Sequence, residues 1–195
     1  MVIRRADIPN LITLLRIGLV PPVIIALLNE AFSLALLLYL VAGISDGLDG
    51  YIAKRYGYVS RLGSILDPLA DKLLLVGTFL ALAWLELLPA WLVLTVVLRD
   101  ILIVAGAAAY HVFIGRYDMA PTLISKLNTL MQIALGLAVV LAQSLVPLPA
   151  WLLDGLVFVV LGTTVASGAD YVWTWGRRAL AARQSRRHGN RNRHV

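Results

Sequence analysis

Six stretches of about twenty predominantly apolar residues follow one another along this chain, at about 10–29, 31–53, 68–86, 91–114, 124–145 and 151–176. A hydrocarbon core about 30 Å thick is crossed by about 20 helical residues, so each stretch predicts one membrane-spanning helix. The runs are continuous rather than alternating, which argues against a transmembrane barrel of short two-faced strands. Of the 195 residues, 60% are hydrophobic and 14% are charged, whereas a soluble domain carries about 25% charged residues. One small globule cannot hide that apolar surplus from water. There are no cysteines, which excludes disulfides, thiolate metal sites and cysteine nucleophiles. The expected fold is all-α, a six-helix transmembrane bundle with no internal repeat and no second domain.

The first run follows Arg4 and Arg5. It reads as a retained helix rather than a cleaved leader, because it is long, contains Pro21 and Pro22, and lacks a small-residue cleavage site after it. The proline pair predicts a kink. Arg4, Arg5, Lys54, Arg55, Arg61 and Arg116 lie at the N-terminus, between runs two and three, or between runs four and five. The connections near Asn29-Glu30, Glu86-Pro89 and Gln143-Pro149 carry no Lys or Arg. With six spans every basic segment falls on one side, which the positive-inside rule makes cytoplasmic. An odd number would put the two basic ends on opposite faces. Both termini are therefore expected in the cytoplasm, with the chain a multi-pass protein of the cell (inner) membrane.

The net charge of +6 is concentrated in Arg177, Arg178, Arg183, Arg186, Arg187, Arg191 and Arg193, with His188 and His194 among them. In such a chain a basic tail sits on anionic membrane lipids rather than nucleic acid. Residues 1–180 form the expected membrane domain and 181–195 a disordered basic tail.

Chemistry concentrates between Ser45 and Lys72. Asp46 and Asp49 are three apart and Asp67 and Asp71 four apart, so on helices each pair shares a face. The short basic link between them can fold the two helix ends together, which gathers four carboxylates at membrane depth. Such a cluster repels itself and is costly in lipid. One or two divalent cations would neutralise it, and all-oxygen ligation suits Mg2+ or Mn2+. Two ions would clamp a transferring phosphoryl group. Gly47, Gly50 and Gly63 leave room for a phosphate ligand to approach the backbone. The plainer alternative pairs the aspartates with Lys54, Arg55, Arg61 and Lys72 in the wet interface. A lone aspartate would favour it; two face-sharing pairs with interleaved glycines favour metal.

The segment resembles the signature of the CDP-alcohol phosphotransferase family, D-x-x-D-G-x-x-A-R, eight residues, G-x-x-x-D-x-x-x-D. It reads here as Asp46, Asp49, Gly50, Ala53 and Lys54, then Gly63, Asp67 and Asp71, with every spacing kept and Lys54 in place of the usual Arg. Arg55 follows and can share that role. The family's six-helix membrane fold extends the resemblance over nearly the whole chain. The resemblance implies displacement of CMP from a CDP-linked donor, usually CDP-diacylglycerol, by an alcohol hydroxyl. It implies Asp46, Asp49 and Asp67 as metal ligands, and Asp71 as the residue that completes the metal site and serves as catalytic base. Gly50, Ala53, Lys54 and Gly63 would hold the nucleotide. The family is often dimeric, so a homodimer is a possible partner state.

Outside the signature, Asn10 with Thr13 and Arg16, and Arg99-Asp100, are similar to the branch of phosphatidylglycerophosphate synthases and CMP-forming cardiolipin synthases. The stretches Pro121–Thr129 and Thr163–Ser167 lie closer to the latter. The implied acceptor is phosphatidylglycerol; the alternative is glycerol 3-phosphate. Asn128, where the other group carries a second Lys, removes one cation and favours the less charged acceptor. Lys126, Arg99 and Asn10 are the candidate acceptor contacts. Arg99 lies deep in run four, where it is equally readable as a structural partner of Asp100 or Asp170 or as a phosphate contact. An ion-coupled transporter is the remote alternative, but the inverted repeats and broken helices expected of one are not evident.

Overall fold

A computed structural model describes the backbone of residues 8–56, 63–113 and 122–191, and the side chains of 14–45, 69–106 and 122–174. Six helices follow in order: α1 Ile8–Leu28, α2 Phe32–Tyr56, α3 Gly63–Trp84, α4 Ala90–Phe113, α5 Leu123–Ser144 and α6 Ala150–Arg191. Among the described residues there is no strand. All six expected runs are helices. The largest difference is at the end, where α6 continues to Arg191 rather than stopping near 176 and so takes in most of the segment read as a disordered tail. The Arg- and Ala-rich stretch there consists largely of strong helix formers, and it extends a helix that is already nucleated.

α1 stays helical through Pro21 and Pro22. The two rings remove the amide donors that would have bonded the carbonyls of Ile17 and Gly18. Two connections are closed by the same device. Glu30 donates its backbone N–H to the carbonyl of Leu27 at 2.8 Å, and Ala31 donates to Ala26 at 2.9 Å. Glu86 donates to Ala83 at 3.1 Å, and Leu87 to Leu82 at 2.9 Å. This pairing of a short and a long reach back is the Schellman closure. It places Glu30 and Glu86 in the left-handed region, with φ of 57° and 58°. The sharp reversals cap orphan carbonyls that lipid or an interface would leave unsatisfied.

The described residues pack as two compact units. The first draws on Met1–Val93 and Gln132–Asp154, the second on Leu94–Met131 and Gly155–Val195. In the first, α1 packs against α2 and α3. Val20, Val23 and Leu27 recur at three- and four-residue spacing and are buried, as are Leu36 and Tyr39 on α2 and Leu75, Phe79 and Leu82 on α3. The helices approach closely where a side chain is missing: a Cβ on Gly77 of α3 would stand 2.7 Å from Ile24 Cδ1. In the second unit a Cβ on Gly106 would stand 2.8 Å from the Tyr171 hydroxyl, and that hydroxyl donates to the Ile103 carbonyl at 2.9 Å. Small residues at helix crossings give the close van der Waals packing on which helix association in lipid depends.

The outward faces are as apolar as the core. Ile25, Leu37, Ile44, Leu80, Leu98, Val104 and Phe158 are each more than half exposed. In water this surface would cost about 25 cal/mol per Å2; in hydrocarbon it costs nothing comparable. Leu123–Ser144 and Ala150–Thr174 are each long and apolar enough to cross a membrane. Trp84, Trp91 and Trp151 are exposed at the ends of α3, α4 and α6, where amphipathic indoles sit at a lipid–water boundary.

Glu86 is a non-glycine residue in a left-handed cap and a negative charge at a helix C-terminus, both unfavourable. Glu86→Gly should stabilise the protein by about 1 kcal/mol. A rise in the midpoint of thermal unfolding in detergent checks this, and a fall would contradict it.

Candidate active site

Continuous helix through Tyr56 puts Asp46 and Asp49 on one face of α2, and a helix start at Gly63 puts Asp67 and Asp71 on one face of α3. Of the predicted site on these helices, Asp71 is the residue whose side chain is described. The side chains of Asp46, Asp49, Ala53, Lys54 and Asp67, the surroundings of Gly50 and Gly63, and the Asn10 side chain on α1 lie outside the described residues. Among the described residues no three acidic or histidine side chains come together. The donor set nevertheless fits a hard divalent cation, with four carboxylates and a face-sharing pair on each helix.

Asp71 is held by α1. Arg16 Nη1 donates to Asp71 Oδ1 at 2.7 Å, the Arg16 side chain being 1% exposed and that of Asp71 44%. Each stands eight residues after its helix start, about 12 Å along the axis. A buried guanidinium without a counter-charge costs several kcal/mol, and the Asp71 carboxylate offsets that cost. In return the guanidinium orients a carboxylate that remains accessible. The pairing of Arg16 with Asp71 was not among the expectations from sequence. The signal available was a lone cation inside an apolar run, which requires an acid within reach on a neighbouring helix.

A second polar cluster belongs to the second unit. Thr122 caps α5 by accepting the Ser125 backbone N–H at 3.3 Å. That cap starts the helix so that Ser125 and Asn128, three apart, share a face. Arg99 of α4, 5% exposed, donates from Nη1 to Asp100 Oδ1 at 2.7 Å. From Nη2 it donates to Ser125 Oγ at 2.6 Å and to Ser167 Oγ of α6. Its partner is thus Asp100 of the two acids considered. One step along the same faces, Asn128 Oδ1 accepts from Thr163 Oγ1 and Thr164 Oγ1, both at 2.9 Å. Arg99 Nε and Asn128 Nδ2 are buried donors with no hydrogen-bond partner among the described residues. Lys126 is exposed on the first turn of α5. Ser125 and Ser167 therefore meet at Arg99, and Asn128 meets Thr163 and Thr164, in two hydrogen-bonded clusters.

Residues 6–167 match the sequence model of the CDP-alcohol phosphatidyltransferase family. The chain belongs to this family. It is 34% identical over 189 residues to the cardiolipin synthase (CMP-forming) of Rattus norvegicus, an alignment covering 89% of this chain and 62% of that protein. It is 32% identical over 189 residues to the cardiolipin synthase (CMP-forming) of Homo sapiens, covering 89% and 62%. It is also 32% identical over 184 residues to the CDP-diacylglycerol–glycerol-3-phosphate 3-phosphatidyltransferase of Bacillus subtilis, covering 85% of this chain and 93% of that protein. The chain thus spans less than two thirds of the length of the two cardiolipin synthases.

Asp100→Ala would strand the Arg99 charge in a buried site and should destabilise the fold by about 3–5 kcal/mol. Asp170→Ala should lower the thermal midpoint several-fold less. Unfolding of the two purified variants side by side checks the assignment of Asp100 as the partner.

Proposed function

We propose that this chain transfers a phosphatidyl group from CDP-diacylglycerol to a hydroxyl of phosphatidylglycerol, with release of CMP. The observation that carries the proposal is Asp71, an accessible carboxylate oriented by a buried arginine, at the end of an intact Asp/Gly signature in a member of this family. Asp71 takes the proton of the acceptor hydroxyl, the acceptor oxygen bonds to the phosphatidyl phosphorus, and the phosphorus–oxygen bond to CMP breaks. A hydroxyl is a poor nucleophile until a base removes its proton, and Arg16 keeps that base in one orientation. Asp46, Asp49, Asp67 and Asp71 would hold Mg2+ or Mn2+, two ions in this proposal, which when bound stabilise charge on the diphosphate and on departing CMP. Gly50, Ala53 and Gly63 let the nucleotide approach the backbone, and Lys54 supplies a cation for its phosphates. Lys126 is the proposed contact for the acceptor's phosphate, and Arg99 and Asn10 are further acceptor-side residues.

The names of the rat and human relatives support phosphatidylglycerol as the acceptor. Glycerol 3-phosphate is the second possibility, favoured by the Bacillus relative, which the chain covers almost end to end. Labelled CDP-diacylglycerol should yield cardiolipin with phosphatidylglycerol. Phosphatidylglycerophosphate as the sole product, from glycerol 3-phosphate, would replace the proposed acceptor. Asp71→Asn should lower kcat by about 10²–10⁴-fold with little change in acceptor KM, since help from a base is realised in the transition state. Near-normal turnover of that variant would remove Asp71 from its role.

We further propose that all six helices cross the inner membrane, with both termini and the carboxylate-bearing helix ends in the cytoplasm. Support comes from the one-sided distribution of Lys and Arg and from the apolar outward faces. A reporter fused after Arg193 should report cytoplasm; an external signal would overturn the six-span count.

A further inference from the structure

The second unit contains a groove of about 700 Å3 between α4 and α6, within the about 300–1,000 Å3 typical of small-molecule sites. Leu98, Leu102, Val165, Val172 and Trp173 form its apolar walls, and Arg99 and Thr164 lie at its polar end. Those five wall residues are each more than 40% exposed, so the groove opens outward, where the apolar faces of this unit meet lipid. Arg99 is buried, lines the groove, and has an Nε hydrogen with no acceptor among the described residues.

The remaining chemistry selects the occupant. Asp100 already balances the Arg99 charge at 2.7 Å. A second anion on the same guanidinium would be repelled by the Asp100 carboxylate, whereas a buried N–H left without an acceptor costs about 1–3 kcal/mol. The complement is therefore an uncharged oxygen acceptor attached to a long apolar chain. We infer that this groove seats one acyl chain of the acceptor lipid, with its ester carbonyl accepting the Arg99 Nε hydrogen. The assignment to the acceptor rests on the function proposed above and on Ser125, which binds Arg99 and directly precedes Lys126, the proposed contact for the acceptor's phosphate. It gives a physical reason for a lipid acceptor, since a small dianion has no use for an apolar groove.

Val165 and Ala169 both line the groove on α6, and Val165→Trp and Ala169→Trp would each intrude into it. Val104 is 69% exposed on α4 and is not among the groove-lining residues, so Val104→Trp serves as a control of equal bulk. Turnover is measured for the full chain in mixed micelles, varying dioleoyl- or dihexanoyl-phosphatidylglycerol at fixed CDP-diacylglycerol, and the reverse. Both groove variants should raise the apparent KM for the dioleoyl acceptor by about tenfold or more. They should leave the dihexanoyl acceptor, the donor KM and the control unchanged, and normal turnover with the short-chain acceptor shows that a variant is folded. A rise confined to the donor KM would assign the groove to CDP-diacylglycerol and overturn the inference. So would unchanged kinetics with every lipid, which would make the groove ordinary lipid-facing surface. Loss of turnover with both acceptors in both variants would overturn it as well. Wild-type protein that is inactive with any phosphatidylglycerol but active with glycerol 3-phosphate would instead refute the proposed acceptor, and the groove's role as its seat with it.

Discussion

Helices whose described outward faces are apolar offer no water with which to solvate a buried charge, so each buried cation must be matched from inside the protein. Arg16 and Arg99 are both almost fully buried, and each is answered by a carboxylate at 2.7 Å. The answers differ in kind. Asp100 is the next residue on the same helix and is itself mostly buried, so that pair is local. Asp71 lies on another helix and stays partly exposed, so Arg16 ties α1 to α3. A charge pair that only stabilised the fold would gain nothing from exposing one partner.

The rest of the packing follows from the same shortage of water. Hydrophobic burial contributes little when lipid is as apolar as the core, and close contact and internal hydrogen bonds must hold the helices together instead. Gly77 and Gly106 mark places where one helix meets a neighbour's side chain without a Cβ between them. Ser125, Asn128, Thr163, Thr164 and Ser167 supply a polar seam joining α4, α5 and α6 within one unit. Hydroxyls suit this position because each can donate to an amide oxygen and accept from a guanidinium without bringing a charge of its own.

The proposed phosphatidyl transfer would place two demands on such a scaffold that pull against each other. The diphosphate and the leaving nucleotide need concentrated charge, whereas the acyl chains of donor and acceptor need uninterrupted hydrocarbon. In that reading the helices separate the demands by position: Asp46 and Asp49 fall near the C-terminal end of α2 and Asp67 and Asp71 in the first turns of α3, while the described outward faces remain apolar. Asn128 fits the same division, since it keeps the α5–α6 seam polar without adding a cation.

Much of this was legible without coordinates. Run length and continuity predicted six helices, because a helix in lipid must satisfy its own backbone and needs about 20 residues to cross. The spacing of Asp46, Asp49, Asp67 and Asp71 placed two carboxylate pairs on two helix faces, because helical periodicity is a local property. Lys and Arg placement suggested a sidedness. Three matters were decided only by tertiary structure. Arg16 takes Asp71 although 55 residues separate them, and no local rule chooses among acids on other helices. Arg99 takes Asp100, with Ser125 and Ser167 also bound, rather than Asp170, the other acid the sequence offered. Asn128 meets Thr163 and Thr164 across 35 and 36 residues, turning what looked in sequence like the loss of a charge into part of a hydrogen-bonded seam. Periodicity and hydropathy determine which face of a helix is which; the rotation and depth at which two helices meet depend on all the side chains between them, and those are set only when the bundle packs.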